Sequence, residues 1–185
     1  MNPQQITLIE QILHDADLPF AVHELAWVDP CDVPFSAQVR GMCESNRCGF
    51  YGKTWTCPPG VGDWEDLRDE CYTYTHALIF TTKHDLDDDF DIEGIGESGR
   101  LHKLLDNALA ERLRNAKISH LLYSAGGCSL CKSCTYPNAP CRFPDRVHRS
   151  MEACGIDVGK LSRVCGLRYN NGPQTVTYFS MIVFR

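Results

Sequence analysis

Residues 175–184 read TVTYFSMIVF. The run is strand composition, dominated by β-branched, aromatic and aliphatic side chains. Alternation places Val176, Tyr178, Ser180, Ile182 and Phe184 on one face and Thr177, Phe179, Met181 and Val183 on the other. Both faces are mostly apolar, which predicts a central strand covered on two sides. Working outward, FAVHELAWV at 20–28, closed by Asp29-Pro30, HALIFTTKH at 76–84 and ISHLLYSA at 118–125 read as three further strands. Between them lie helical patterns. Ile6, Leu8, Ile9, Ile12 and Leu13 recur at helical spacing over 4–16, after Asn2-Pro3 as a start signal. Asp63 caps a short helix whose inner face carries Trp64, Leu67 and Cys71. A longer helix spans 99–116 with Leu101, Leu104, Leu105, Leu109 and Leu113 as its stripe, while His102 and Lys103 face water or pair locally. Two more helices begin at Asp145 and Asp157 and end at Gly155 and Gly166. With 185 residues and 43% hydrophobic content, the chain fits one domain, residues 1–185. The expected fold is α/β: a single-domain sandwich of about four strands with helices, carrying two cysteine-rich metal-binding loops.

One of those loops is GGCSLCKSCTYPNAPCRFP, residues 126–144. Cys128, Cys131, Cys134 and Cys141 fall within fourteen residues, two residues separating each of the first three and six preceding the fourth. A C-x2-C-x2-C run wraps backbone around one object so that three thiolates converge on it, as in loops that hold cubane iron–sulfur clusters. The ferredoxin pattern ends C-x3-C-P, whereas Pro144 here stands three residues past Cys141, so the fourth ligand departs from it. Gly126 and Gly127 permit close backbone approach. Structural zinc on the same four thiolates is the competing reading. Disulfides fit less well, because eleven cysteines follow an opening, MNPQQITLIEQILHDADLPF, that lacks a basic, apolar export signal.

The other loop, residues 31–62, is poor in regular periodicity and rich in glycine, proline and cysteine. Cys43, Cys48 and Cys57 form C-x4-C-x8-C, a spacing that matches no zinc finger, with Tyr51, Lys53 and Trp55 interleaved before Pro58-Pro59. Three thiolates with no local fourth suggest a second cluster completed by a distant cysteine, a non-cysteine ligand or a substrate. The bland reading is a set of buried thiols packed as small hydrophobes. Cys154 and Cys165 either complete a metal site or fill core, Cys71 reads as core, and His14 and His23 lack partners at ligand spacing.

Other signals dissolve on inspection. In DLDDDFD, residues 85–91, the aspartates alternate as in a calcium loop, but Phe90 holds the obligatory glycine position and Gly96 that of the bidentate glutamate. Gly94, Gly96 and Gly99 spell G-x-G-x-x-G, yet ten residues of acidic loop separate them from the preceding strand, so they read as a flexible loop running into a helix. A net charge of −6 and a pI near 5.6 argue against nucleic acid as a partner. No window approaches the length of apolar sequence that spans a bilayer. Abundant thiols without an export signal place the chain in a reducing cytoplasm, and exposed clusters would suit an anaerobic host.

On the motifs CESNRCGFYGKTWTCPPG (43–60), GGCSLCKSCTYPNAPCRFP (126–144) and SMEACGIDV (150–158), the chain resembles a family of small cysteine-rich proteins described as predicted metal-binding proteins of unknown function, mostly from anaerobic prokaryotes. The resemblance implies metal binding at Cys43, Cys48 and Cys57 and at Cys128, Cys131, Cys134 and Cys141, and it supplies no reaction. Three functions follow from the residues. One is an iron–sulfur redox protein with two 4Fe-4S clusters, whose acidic surface docks a basic redox partner protein. Another is an enzyme in which the three-cysteine cluster leaves one iron open to a small-molecule substrate, with Arg47, Tyr51 and Lys53 beside it. The last is a structural zinc module.

Overall fold

A strand apolar on both faces needs a neighbour at each edge and a layer over each side. In the computed structural model, which describes residues 3–185, Thr175–Phe184 (β5) obtains all of these. The other strands are β1 Leu25–Val28, β2 His76–Asp85, β3 His120–Ser124 and β4 Arg149–Ser150, and the sheet order is β1-β2-β5-β3-β4. All pairings are antiparallel except the parallel β3–β4. The register sets Leu78 and Leu122 on either side of Ile182, and Ile79 and Tyr123 on either side of Met181.

Each face of β5 belongs to a different core. Ile182 and Phe184 pack with Leu78, Phe80 and Leu122 under Ile9 and Leu13 of α1 (Pro3–Leu13) and Leu105, Leu109 and Leu113 of α4 (Ile92–Asn115). Phe179, Met181 and Val183 pack with Ala77, Ile79 and Tyr123 under Leu67 and Cys71 of α3 (Trp64–Tyr72) and Leu161 of α5 (Val158–Cys165). The remaining helix, α2, spans Ala37–Met42 inside the first cysteine loop, capped by the Ser36 hydroxyl, with 3-10 turns at Pro30–Asp32 and Cys43–Ser45. Each fully buried aliphatic or aromatic side chain contributes about 1.5–3 kcal/mol, so the sheet and its two layers form a rigid base for the loops at its edge. The sandwich expected from the sequence is thus present, with a fifth, two-residue strand added.

Several local expectations change. The first strand begins at Leu25 rather than residue 20, because Phe20 leaves the sheet direction and stacks on His84 with ring centroids 4.2 Å apart. Asn2 of the expected start signal lies outside the described residues. The segment 145–155 is not a helix. Arg149 and Ser150 pair with β3, Met151 N–H donates to Ser124 O at 3.0 Å, and only a 3-10 turn, Glu152–Cys154, follows before Gly155 turns left-handed at φ 85°. Sheet pairing outcompetes the local helical pattern there. The long helix starts at Ile92, seven residues early, because the Asp91 carboxylate accepts from Gly94 N–H at 2.8 Å as an N-cap. The three glycines therefore lie inside the first turns of α4, and a Cβ at Gly99 would meet the Tyr178 hydroxyl at 3.1 Å. Leu104 is exposed.

His102, expected to face water or pair locally, is wholly buried, with Asp106 one turn away at 3.8 Å. Its partners form a directed chain across the apolar layer. Ser180 Oγ donates to Asp106 Oδ1 at 2.8 Å and Ser124 Oγ donates to Oδ2. Ser180 then accepts from His102 Nε2–H at 2.9 Å, His102 Nδ1 accepts from Thr82 at 2.8 Å, and Thr82 accepts from His84 Nε2–H at 2.9 Å. This direction requires a neutral His102, in keeping with the way burial lowers its pKa. Asp106 anchors the chain to Ser124, the residue at the end of β3 from which the four-cysteine loop departs. Asp106→Ala leaves two buried hydroxyls without an acceptor and is expected to destabilise the fold by about 3 kcal/mol. Urea unfolding of the metal-free protein measures this, and a loss below about 1 kcal/mol would contradict the assigned chain.

Candidate metal centre

The end of β3 releases the chain into a segment without regular structure, and the four cysteines there line one cavity. Cys128, Cys131, Cys134 and Cys141 surround about 390 Å³ together with residues 52–56 of the first cysteine loop. The second cavity, about 240 Å³, is lined by Cys43, Cys48 and Cys57 with Tyr51, Ser150 and Glu152, and its back wall is Gly126 and Gly127. The cavities are adjacent. Cys57 faces one while Thr54, Trp55 and Thr56 face the other, and Cys128 faces one while Gly126 and Gly127 face the other.

Hydrogen bonds and ring contacts lock the loops together. Cys128 N–H donates to Thr56 Oγ1 at 3.2 Å, and Trp55 Nε1 donates to Ala139 O at 3.1 Å. The Trp55 ring meets Tyr136 edge-on at 4.9 Å. Two glycines permit this approach: a Cβ on Gly60 would stand 2.6 Å from Thr54 O and 2.8 Å from the Tyr136 ring, and one on Gly127 would stand 2.9 Å from Phe50. Gly52 N–H closes the tip of its loop on Pro58 O at 2.8 Å.

Residues outside both motifs hold the cavities open. Lys103 donates to Gly127 O, Asn107 Oδ1 accepts from His148 Nε2 at 3.1 Å, and Arg114 reaches Asp145 O at 3.4 Å, so one side of α4 grips the four-cysteine loop at both ends. Arg40 of α2 donates to Gly62 O at 2.7 Å and to Ala153 O, tying the first loop to the turn that carries Glu152. None of these residues stood out in the sequence as part of a site. A signal existed for α4: His102 and Asp106 fall on the same helical face as Leu109 and Leu113, and polar residues inside an apolar stripe mark a buried network. Arg47 and Lys53 are exposed, and Trp55 packs against the other loop rather than facing ligand alone.

The thiols repel one another. Burial pushes the Cys43 thiol up, and thiolates at Cys57 and Cys48 push it further, with Arg40 opposing. Burial likewise raises Cys128, against the Leu130 backbone and Lys103, and thiolates at Cys131 and Cys141 add to the rise. Burial and mutual repulsion thus disfavour thiolates at Cys43 and Cys128, and a bound cation would offset both by stabilising anionic sulfur. Among the described residues, no three His, Cys, Asp or Glu side chains converge closely enough to hold a single ion. All eleven cysteines are free thiols. Cys71 and Cys154 are wholly buried in the core and pushed up to about 12 by burial, and Cys165 to about 11. Cys71 is core, as expected, and Cys154 resolves to core.

The fold is an α/β sandwich with two thiol-lined cavities side by side. The chain belongs to the family described as Predicted metal-binding protein (DUF2284), whose pattern it matches over residues 26–184. No curated protein and no solved structure matches it. Among the described residues, no helix is long and apolar enough to cross a membrane.

Two outcomes test this geometry. Gly60→Ala forces its methyl against backbone and ring at the seam, and is expected to cost about 2 kcal/mol in unfolding free energy and to lower metal retention; unchanged values on both counts would contradict the close approach. Burial holds His148 down from 6.5 to about 4. The unfolded chain binds that proton first, so this contribution is complete above pH 6.5 and lost as the pH falls toward 4. In metal-free protein His148→Gln should flatten the acid limb of stability by about 3 kcal/mol relative to the parent, read from urea midpoints across the range.

Proposed function

We propose that this is an iron–sulfur redox protein, with one 4Fe-4S cluster held by Cys128, Cys131, Cys134 and Cys141 and a second held by Cys43, Cys48 and Cys57. The observation that carries the reading is the pair of adjacent cavities, each lined by one cysteine set and each walled by the other's loop. A single zinc ion draws four thiolates to about 2.3 Å and leaves no space between them. The cleft of about 390 Å³ that the four cysteines line with residues 52–56 has room for a polynuclear group. The donors fit as well, since thiolates are the ordinary ligands of iron–sulfur clusters. When bound, such clusters supply single-electron storage and transfer at potentials set by exposure and by hydrogen bonds to sulfur.

The chain's own residues set the conditions. Lys103 donates to Gly127 O beside the four-thiolate cavity; burial lowers its pKa, and a thiolate at Cys128 works against that fall, so the two charges favour each other. Thr54, Trp55, Thr56 and the Gly126-Gly127 pair form the thin partition through which an electron passes between cavities. The four-cysteine cavity faces a fully protein-supplied ligand set, while the three-cysteine cavity has no fourth cysteine on its lining. The acidic balance of the chain favours a basic redox partner protein.

Purification and reconstitution without oxygen should yield brown protein with roughly eight irons and eight sulfides per chain. Cys131→Ser and Cys57→Ser should each remove about half of the iron, and from different clusters. Colourless, zinc-loaded parent protein, or iron content indifferent to both substitutions, would defeat the proposal.

A further inference from the structure

The three-cysteine cavity lacks one protein ligand, and the structure narrows where it comes from. No other cysteine lines that cavity: Cys71 and Cys154 are enclosed in the core, Cys128, Cys131, Cys134 and Cys141 line the neighbouring one, and Cys31 and Cys165 line neither. The acidic side chain on its lining is Glu152. Glu152 also lines a second, outward space of about 400 Å³ with Met42, Cys43, Arg47 and Cys48, so it stands at the boundary between the thiol cavity and solvent. Its backbone carbonyl lies 3.9 Å from Cys43 Sγ.

The side chain is exposed, and one of its oxygens is held in place. Ser150 is buried, lines the same cavity, accepts from Ala153 N–H at 3.4 Å, and donates its one proton to Glu152 Oε2 at 2.9 Å. That leaves Oε1 as the uncommitted oxygen. A carboxylate whose second oxygen is fixed by a buried hydroxyl is the outer-shell pattern found behind metal ligands. Arg40, bonded to Ala153 O and Gly62 O, fixes the turn itself.

We infer that Glu152 is the fourth ligand of the group bound by Cys43, Cys48 and Cys57, giving that cluster one oxygen-ligated iron next to the outward cleft. The inference rests on the iron–sulfur reading above and specifies its unassigned ligand. An iron held by a carboxylate exchanges ligands more readily than one held by thiolate, so this is the iron at which a small anionic molecule, entering past Arg47, would bind.

The test uses the full chain reconstituted anaerobically with 57Fe and sulfide, read by Mössbauer spectroscopy, with the four-thiolate cluster as internal control. In the parent, one iron of the three-cysteine cluster should show the higher isomer shift of a non-thiolate site. Glu152→Cys should convert it to a thiolate-like iron. Glu152→Ala should lose that one iron on mild ferricyanide oxidation roughly tenfold faster than the parent, and Ser150→Ala should show a weaker form of the same loss. Glu152→Gln, which preserves size and exposure, should behave as Glu152→Ala does. Parent spectra with every iron thiolate-like, or spectra and iron loss unchanged in Glu152→Cys and Glu152→Ala while Cys57→Ser still removes a cluster, would overturn this inference and leave the function proposed above standing. Iron content insensitive to Cys57→Ser would overturn both.

Discussion

A loop that carries four thiols but no regular secondary structure must have its ends held, or closure entropy and thiolate repulsion would spread it. Here one side of α4 does the holding. Asp106 takes the Ser124 hydroxyl, Lys103 takes the Gly127 carbonyl, Asn107 takes His148, and Arg114 reaches the Asp145 carbonyl. The opposite requirement, that α4 stay in place, is met by its Leu105, Leu109 and Leu113 on the sheet. One helix thus joins the apolar layer to the polar site, and its buried carboxylate is the link. Each side chain in the chain from His84 to Ser124 is hydrogen-bonded to the next, which is what makes a buried polar network tolerable.

The two cysteine loops depend on each other in the same physical way. Neither encloses its cavity alone, since Thr54, Trp55 and Thr56 wall the four-thiol space and Gly126 and Gly127 wall the three-thiol space. The contact is close because the positions facing it, Gly60 and Gly127, carry no side chain. This arrangement sorts the eleven cysteines by environment. Those sealed in the core keep protonated, inert thiols, and those on the loops share space where deprotonation becomes favourable once a cation is present.

Much of the frame was legible because it follows from period alone. The two apolar faces of TVTYFSMIVF required a central strand with two layers, and the third place in a five-stranded sheet is where β5 stands. The cysteine spacing likewise pointed to two loops. The helix expected over 145–155 was illegible in the opposite sense, since its local pattern was helical and only the approach of β3 drew Arg149 and Ser150 into the sheet. His102 was misplaced because a histidine beside a lysine reads as surface until Ser180 and Thr82, far away in the chain, are seen to face it.

What the amino-acid order determined by itself is therefore the strand and helix pattern, the single sandwich, and the two groups of thiols, because each rests on contacts between near neighbours in the chain. What only the folded molecule decided is that the two groups share a wall, that α4 grips both ends of one loop, and that Ser150 and Glu152 come to line the cavity of the other. Those relations join residues separated by tens of positions, and no local spacing encodes a meeting that depends on how the sheet brings its edges together.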